Sequence, residues 1–119
     1  MANPFVHIEL QSRDLEKSKK FYRGLFDWNL EEIPGQDYTI INVGEGTGGG
    51  IMKNPMPNEP DKWLPYVLVD DVTAATQKAI SLGATLAQDK MEVPDMGWFS
   101  VLIDPTGVAF GLWQPKMTK

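Results

Sequence analysis

The chain contains a single histidine, His7, and the carboxylate of Glu9 follows it by two residues in the segment FVHIEL. Apolar and polar residues alternate through this segment, which is typical of a half-buried strand, so His7 and Glu9 are predicted to share one face. A neutral imidazole beside a carboxylate can act as a general base near neutral pH. The same two side chains can also orient a ligand, or satisfy polar groups of a core, without taking part in a reaction. The sequence therefore predicts a site that contains His7 and Glu9 and leaves their role open.

Composition argues against several other functions. The chain has no cysteine, which excludes disulfides and thiolate metal sites and fits a reducing compartment. Its net charge of −5 is unlike the basic surface of proteins that bind nucleic acids or anionic membranes. The glycine-rich run GEGTGGG is not followed by the GK[ST] of a phosphate-binding loop. With neither a recognisable leader nor an apolar run of membrane-spanning length, we expect a cytoplasmic protein without nucleic-acid or membrane partners.

Strands and one helix are predicted to position His7 and Glu9 in the first half of the chain, about residues 4–53. Asp14 is placed to cap a helix whose apolar side includes Leu15 and Tyr22. Strands are predicted near 5–10, 28–33, 38–43 and 51–53. The next segment, residues 54–63, is rich in proline, which resists both helix and central strand, and is predicted to be a connector.

The second half, about residues 64–115, repeats the same order of elements. Asp70 or Asp71 is predicted to cap a second helix, and Gly83 lies where that helix should end. Strands are predicted near 64–69, 85–92, 97–103 and 108–114. The sequence thus predicts two equivalent modules, each a strand, a helix and three strands, within one domain that covers residues 1–119.

Alternation along the strands also predicts which side chains lie opposite the helices. We expect the more uniformly apolar strand faces to pack against the helices, which leaves a second face that mixes aromatic rings with a few polar groups. Such a mixture is typical of a small-molecule pocket, although a second core layer would look similar. Ile51, Leu64 and Leu102 are predicted to share this face. The residues on it that are predicted to bind a ligand or take part in chemistry are His7, Glu9, Tyr38, Asn42, Tyr66, Trp98, Ser100 and Trp113.

Three stretches resemble the vicinal-oxygen-chelate superfamily of glyoxalases, bleomycin-resistance proteins and dioxygenases. The opening FVHIEL…RDLEKSKKFYRGLFDW resembles its first module, and DPTGVAFGLWQP resembles its C-terminal strand. The stretch GGGIMK…LPYVLVDDV is similar to a bacterial subgroup related to lactoylglutathione lyase. The resemblance covers roughly residues 4–115. It implies an α+β fold in which two βαβββ modules curl their mixed sheets into a cup.

The resemblance also implies where a metal would bind. In metal-dependent members, four ligands come from the first and last strands of each module, and the corresponding positions here are His7, Ile51, Leu64 and Gly111. Only His7 carries a donor atom, and Glu9 could supply a second. A catalytic divalent ion needs about three protein ligands. We therefore expect no metal and no other cofactor.

Three functions follow as expectations. The first is the binding of a small aromatic or planar molecule in a hydrophobic cup, without a catalytic metal. The second is a lyase or isomerase that acts on a small oxygenated metabolite with His7 as base, with or without a divalent metal. The third is a non-catalytic interaction or regulatory subunit. A homodimer is the default assembly for any of them.

Overall fold

The computed structural model describes residues 2–35, 37–56 and 58–116, and it divides the chain into two compact units. The N-terminal unit comprises His7–Leu64, and the C-terminal unit comprises the described residues from Pro65 onward together with those before His7. Pro57 of the predicted connector and the two ends of the predicted domain lie outside the described residues.

The N-terminal unit contains one helix and a four-stranded mixed sheet in the order β2-β3-β4-β1. Strands β1 and β4 pair in parallel, and the other neighbours pair antiparallel. The elements are β1 (Phe5–Ser12), α1 (Leu15–Leu25), β2 (Asn29–Glu32), β3 (Tyr38–Asn42) and β4 (Gly49–Lys53).

The C-terminal unit repeats this arrangement in the order β5-β8-β7-β6, with β5 and β8 parallel. Its elements are β5 (Lys62–Leu68), α2 (Val72–Ser81), β6 (Thr85–Val93), β7 (Gly97–Ile103) and β8 (Ala109–Pro115). The division falls inside two strands, so Phe5 and Val6 of β1 belong to the C-terminal unit, and Lys62, Trp63 and Leu64 of β5 belong to the N-terminal unit. The predicted α+β class and the order of elements in both βαβββ modules are confirmed. The cup that the resemblance implies stays a prediction.

Both helices begin at an aspartate whose side chain satisfies a backbone N–H that the first turn leaves without a partner. The Asp14 carboxylate accepts a hydrogen bond from the Lys17 amide at 3.1 Å, and Asp71 accepts one from the Ala74 amide at the same distance. The cap of α2 is therefore Asp71 rather than Asp70. Such a cap stabilises a helix by about 1 kcal/mol.

Each unit has its own apolar core between helix and sheet. In the N-terminal unit, Leu15 and Tyr22 of α1 pack on a buried cluster from the strands. In the C-terminal unit, Ala75 and Ala79 of α2 pack on a second cluster. The two clusters consist of Leu10, Leu30, Ile41 and Ile51, and of Val72, Leu102 and Leu112.

Ile51 and Leu102 were predicted to lie on the sheet face opposite the helices, and this prediction is wrong. Ile51 pairs with Leu10 and lies in the core under α1, and Leu102 is fully buried beside Val72 of α2. Within the described residues, no helix is both long enough and apolar enough to cross a membrane.

Candidate functional site

A continuous row of hydrogen-bonded side chains runs across the sheet of the N-terminal unit. Nε2 of His7 lies 2.6 Å from the Tyr38 hydroxyl. That hydroxyl donates to one carboxylate oxygen of Glu9 at 3.1 Å, and the Gln11 amide donates to the other at 3.0 Å. We call His7, Tyr38, Glu9 and Gln11 the polar row.

Strand alternation and one glycine explain how the polar row forms. His7, Glu9 and Gln11 are alternate residues of β1 and therefore project from the same face of the sheet. Tyr38 comes from β3, and β4 lies between β3 and β1. The Tyr38 side chain reaches across β4 at Gly50, where an added Cβ atom would lie 2.0 Å from its hydroxyl oxygen. Glycine at position 50 is thus required for Tyr38 to meet His7 and Glu9.

The hydrogen-bond pattern assigns the proton on the imidazole. A tyrosine hydroxyl has one proton, and Tyr38 donates it to Glu9. Nε2 of His7 must then donate to the Tyr38 oxygen, which makes Nδ1 the basic nitrogen of the neutral ring. Burial lowers the pKa of His7 below its usual 6.5, because an imidazolium loses hydration there. His7 is therefore neutral at pH 7.

Burial distinguishes the two ends of the polar row. Glu9 and Gln11 are only 6% and 7% exposed, whereas His7 and Tyr38 are half-buried. A buried carboxylate is tolerated when hydrogen bonds replace its water, and Glu9 accepts one from each side. The rings of His7 and Tyr38 are nearly parallel, with centroids 6.1 Å apart and planes inclined at 22°. An incoming molecule can thus reach His7 and Tyr38, while Glu9 and Gln11 support them from below.

The residues of this site do not fit a catalytic divalent ion. On β4 the residue that faces His7 and Glu9 is Gly50, not the predicted Ile51, and neither has a donor side chain. Among the described residues, no group of three or more histidine, cysteine, aspartate or glutamate side chains could hold a metal. The expectation of a metal-free and cofactor-free site stays a prediction.

Three other predicted ligand-binding residues lie on the expected side of their strands. Asn42 ends β3, and its side-chain carbonyl accepts a hydrogen bond from the Gly44 amide at 2.9 Å, which closes a turn. In the C-terminal unit, Tyr66 lies over Gly111 and meets Phe99 edge-on, with ring centroids 6.0 Å apart. Trp113 follows Gly111 by two residues and shares its face. Ligand binding by Asn42, Tyr66 and Trp113 stays a prediction.

The predictions for Ser100 and Trp98 are wrong as to the face of the sheet. Ser100 is fully buried, and its hydroxyl lies 2.8 Å from the Thr76 hydroxyl of α2. Trp98 pairs with Gln114, whose side chain accepts a hydrogen bond from the Val72 amide at the start of α2. Both residues therefore face the helix. Lys90 and Lys116 lie over the Trp98 ring, 5.6 and 5.3 Å from its centroid.

Sequence reasoning missed Gln11 and the role of two tryptophans. Gln11 continues the alternation of His7 and Glu9, so extending the predicted strand by one residue would have found it. Trp28 and Trp63, which were not among the predicted site residues, line a cavity of about 220 Å³ in the same unit. No local signal in the sequence brings these two rings together, since they are 35 residues apart (63 − 28).

Comparison with known proteins gives consistent matches at the level of family and fold. The family model described as a glyoxalase-like domain matches residues 7–113. Over 92 residues, 77% of the chain, the sequence is 36% identical to CFP32 of Mycobacterium tuberculosis, whose name assigns it provisionally to the glyoxylases. It is 27% identical to the anthracycline biosynthesis protein DnrV of Streptomyces peucetius over 90% of the chain. The matched regions make up 35% and 45% of those two proteins, so the chain spans less than half of either.

Solved structures show the same fold at low sequence identity. A glyoxalase/bleomycin resistance protein/dioxygenase superfamily member from Vibrio splendidus matches with a TM-score of 0.68 and 16% identity, over 97% of this chain and 100% of that one. Methylmalonyl-CoA epimerase from Mycobacterium tuberculosis matches with a TM-score of 0.69 and 17% identity, over 95% and 88%. At such identities the likeness concerns the fold alone.

Proposed function

This chain belongs to the glyoxalase-like domain family, and we propose that it binds a small, planar, oxygenated molecule on the sheet face that carries the polar row. The observation that supports this most strongly is the unbroken set of hydrogen bonds from His7 through Tyr38 to Glu9 and Gln11. A set of polar side chains already fixed in position before the ligand arrives lowers the ordering cost of binding. No metal takes part in this proposal.

The expected ligand chemistry follows from the two partly exposed members of the row. In this arrangement His7 offers an unprotonated Nδ1 and Tyr38 offers a hydroxyl oxygen whose proton goes to Glu9, so both suit an enol or hydroxyl group that donates a hydrogen bond. Their nearly parallel rings favour a flat molecule over a branched one. A strongly cationic ligand is disfavoured, because Glu9 is buried behind Tyr38 and its oxygens already accept hydrogen bonds.

A second candidate function is proton transfer, as in a lyase or isomerase, and the assigned tautomer of His7 favours it. In the step we propose, Nδ1 removes a proton from the carbon next to a substrate carbonyl. The electron pair of that C–H bond forms a carbon–carbon double bond, and negative charge develops on the carbonyl oxygen. Return of the proton to carbon gives an isomer, so neither an oxidant nor a reductant is needed.

Binding can be tested on the full chain with thermal-shift measurements. The panel contains aliphatic 1,2-dicarbonyl compounds and 2-hydroxy acids, and the variants are Tyr38→Phe and, as a matched control away from the row, Trp98→Phe. A ligand at about 100 times its Kd stabilises the folded state by about 2.7 kcal/mol. We expect at least one class to raise the Tm of wild type and Trp98→Phe but not of Tyr38→Phe. Equal shifts in all three proteins, or none from any compound, would contradict the proposal.

Proton transfer has a separate test in the exchange of carbon-bound hydrogen for deuterium from solvent. NMR follows this exchange in the compounds that bind. If His7 is the base, His7→Gln lowers the exchange rate by about 100-fold or more. If exchange persisted at the wild-type rate in His7→Gln, or if wild type showed no exchange, proton transfer by His7 would be ruled out. The proposal of ligand binding would not be affected.

A further inference from the structure

We infer that the cavity lined by Trp28 and Trp63 is a second ligand site, which takes an uncharged aromatic compound of one or two rings. We call it the tryptophan pocket. It lies within the N-terminal unit, on the sheet face opposite the polar row. Its lining residues are Ile8, Trp28, Ile41, Val43, Thr47, Gly48, Gly49 and Trp63.

The floor of the tryptophan pocket is formed by three neighbouring strands. Ile8 of β1 pairs with Gly49 of β4, and Gly49 pairs with Ile41 of β3. Because Ile8 lies between His7 and Glu9 on β1, its side chain projects from the other face of the sheet. A Cβ atom on Gly49 would lie 1.8 Å from the Ile8 carbonyl oxygen, so the middle of the floor is bare backbone. The two sites thus share a sheet but no side chain.

The walls are two indole rings set almost at a right angle. The ring centroids of Trp28 and Trp63 are 6.4 Å apart, and the ring planes are inclined at 83°. A flat ring that enters this corner can stack on one indole while it presents its edge to the other, and both are favoured aromatic geometries. Trp63 remains 39% exposed, so a ligand would remove apolar surface from water.

Neighbouring aromatic rings hold both walls in place. The ring of Tyr22 stacks on Trp28 at a centroid distance of 5.8 Å and meets Trp63 at 5.6 Å and 76°. The ring centroid of Phe26 lies 4.6 Å from that of Trp28. Rings that are already fixed lose little freedom when a ligand binds, which distinguishes this pocket from a pair of loose surface tryptophans.

Size and polarity define the class of ligand. A dry cavity of about 150 Å³ can hold benzene, so about 220 Å³ accommodates a substituted ring or two fused rings. None of the described residues that line the pocket carries a charge, and Thr47 is the polar side chain among them. An anion or cation would lose hydration without a compensating partner. Neutral bicyclic compounds such as indole fit these limits.

The pocket can be tested by NMR on the 15N-labelled full chain, titrated with unlabelled indole. Only the protein's four tryptophans then contribute indole N–H signals, which Trp→Phe variants assign. We expect the signals of Trp28 and Trp63 to shift in a saturable manner and those of Trp98 and Trp113 to stay in place. Benzoate, a charged compound of similar size, should produce no saturable shift.

Two variants separate binding from folding. Val43→Phe should fill the pocket and Trp63→Ala should remove a wall, and each should raise the Kd for indole by about tenfold or more. Trp98→Phe and Tyr38→Phe should leave that Kd unchanged, so failure here and failure at the polar row are distinguishable. Shifts spread over all four tryptophans, or no shift, would overturn the inference. So would shifts of Trp28 and Trp63 on dilution of the protein alone, because a second copy of the chain would then cover the pocket.

Discussion

Tyr38 and Gly50 occupy positions that allow no side chain between them, since a Cβ atom on Gly50 would overlap the Tyr38 hydroxyl oxygen at 2.0 Å. This close approach lets a residue of β3 complete a hydrogen-bonded row that begins on β1. The site therefore depends on a missing side chain as much as on the polar groups themselves.

The variant Gly50→Ala should displace the Tyr38 ring and break its hydrogen bonds to His7 and Glu9. We expect it to lower the free energy of unfolding by about 1–3 kcal/mol, as overpacking of a close contact does. Urea denaturation measures the change. Gly24→Ala is the matched control, because Gly24 lies in α1 with nothing within 4 Å of an added Cβ. That variant should stabilise the fold by about 0.5–1 kcal/mol, and destabilisation by both would contradict the argument.

The stability of the chain should fall on the acid side of neutrality because of His7. Burial lowers the pKa of His7 in the folded state, so the unfolded state, with a pKa near 6.5, binds its proton first. This destabilising effect of His7 is absent above about pH 6.5. Below that pH the free energy of unfolding decreases as the pH drops through the folded-state pKa of His7. Urea denaturation between pH 5 and 8 should show this slope in wild type and a smaller one in His7→Gln. Identical slopes would rule out His7 as the source.

The buried hydroxyl pair of Ser100 and Thr76 should contribute to stability and not to ligand binding. Ser100→Ala removes one hydroxyl, while Thr76 keeps its 2.6 Å hydrogen bond to the Val72 carbonyl. We expect a loss of about 0.5–1.5 kcal/mol in unfolding free energy and unchanged thermal-shift responses to the ligand panel. If Ser100→Ala kept its stability but lost the thermal shift caused by the ligands, Ser100 would instead be part of the ligand site.

Substitution of the two partners in the Lys19–Glu32 ion pair should change the free energy of unfolding by different amounts. The Lys19 side chain is 8% exposed and that of Glu32 is 66% exposed, with nitrogen and oxygen 3.0 Å apart. Lys19→Met replaces a buried cation with an apolar side chain and should change the unfolding free energy by less than about 1 kcal/mol. Glu32→Gln leaves the cation with the more distant Glu16, at 3.7 Å, and should destabilise the fold more. The reverse order in urea denaturation would contradict this account.

The elements of the fold could be predicted from sequence because their signals are local. Asp14 and Asp71 mark the helix starts, and alternation marks β1. The faces of β7 could not be predicted in this way, since Trp98, Phe99, Val101, Leu102 and Ile103 make both of its faces apolar. The register with β8 places Ser100 opposite Leu112, and this pairing determines which face of β7 is turned towards α2.

The polar row could be predicted only in part. His7 and Glu9 lie on one alternating strand and could be grouped from sequence alone. Their link through Tyr38 depends on the order β3-β4-β1 and on Gly50, neither of which is a local property of the sequence. The same holds for the tryptophan pocket, whose walls come from distant parts of the N-terminal unit.

The most direct test of the account is the imidazole signal of His7, followed by 1H–15N NMR at pH 7 while the ligand panel is added. Because the chain has one histidine, the assignment is unambiguous. We expect a neutral ring protonated at Nε2 in the free protein, and a saturable shift of both ring nitrogens with any compound of the panel that raises the Tm. A compound that stabilises the protein but leaves these nitrogens unchanged, or a free imidazole protonated at Nδ1, would contradict it.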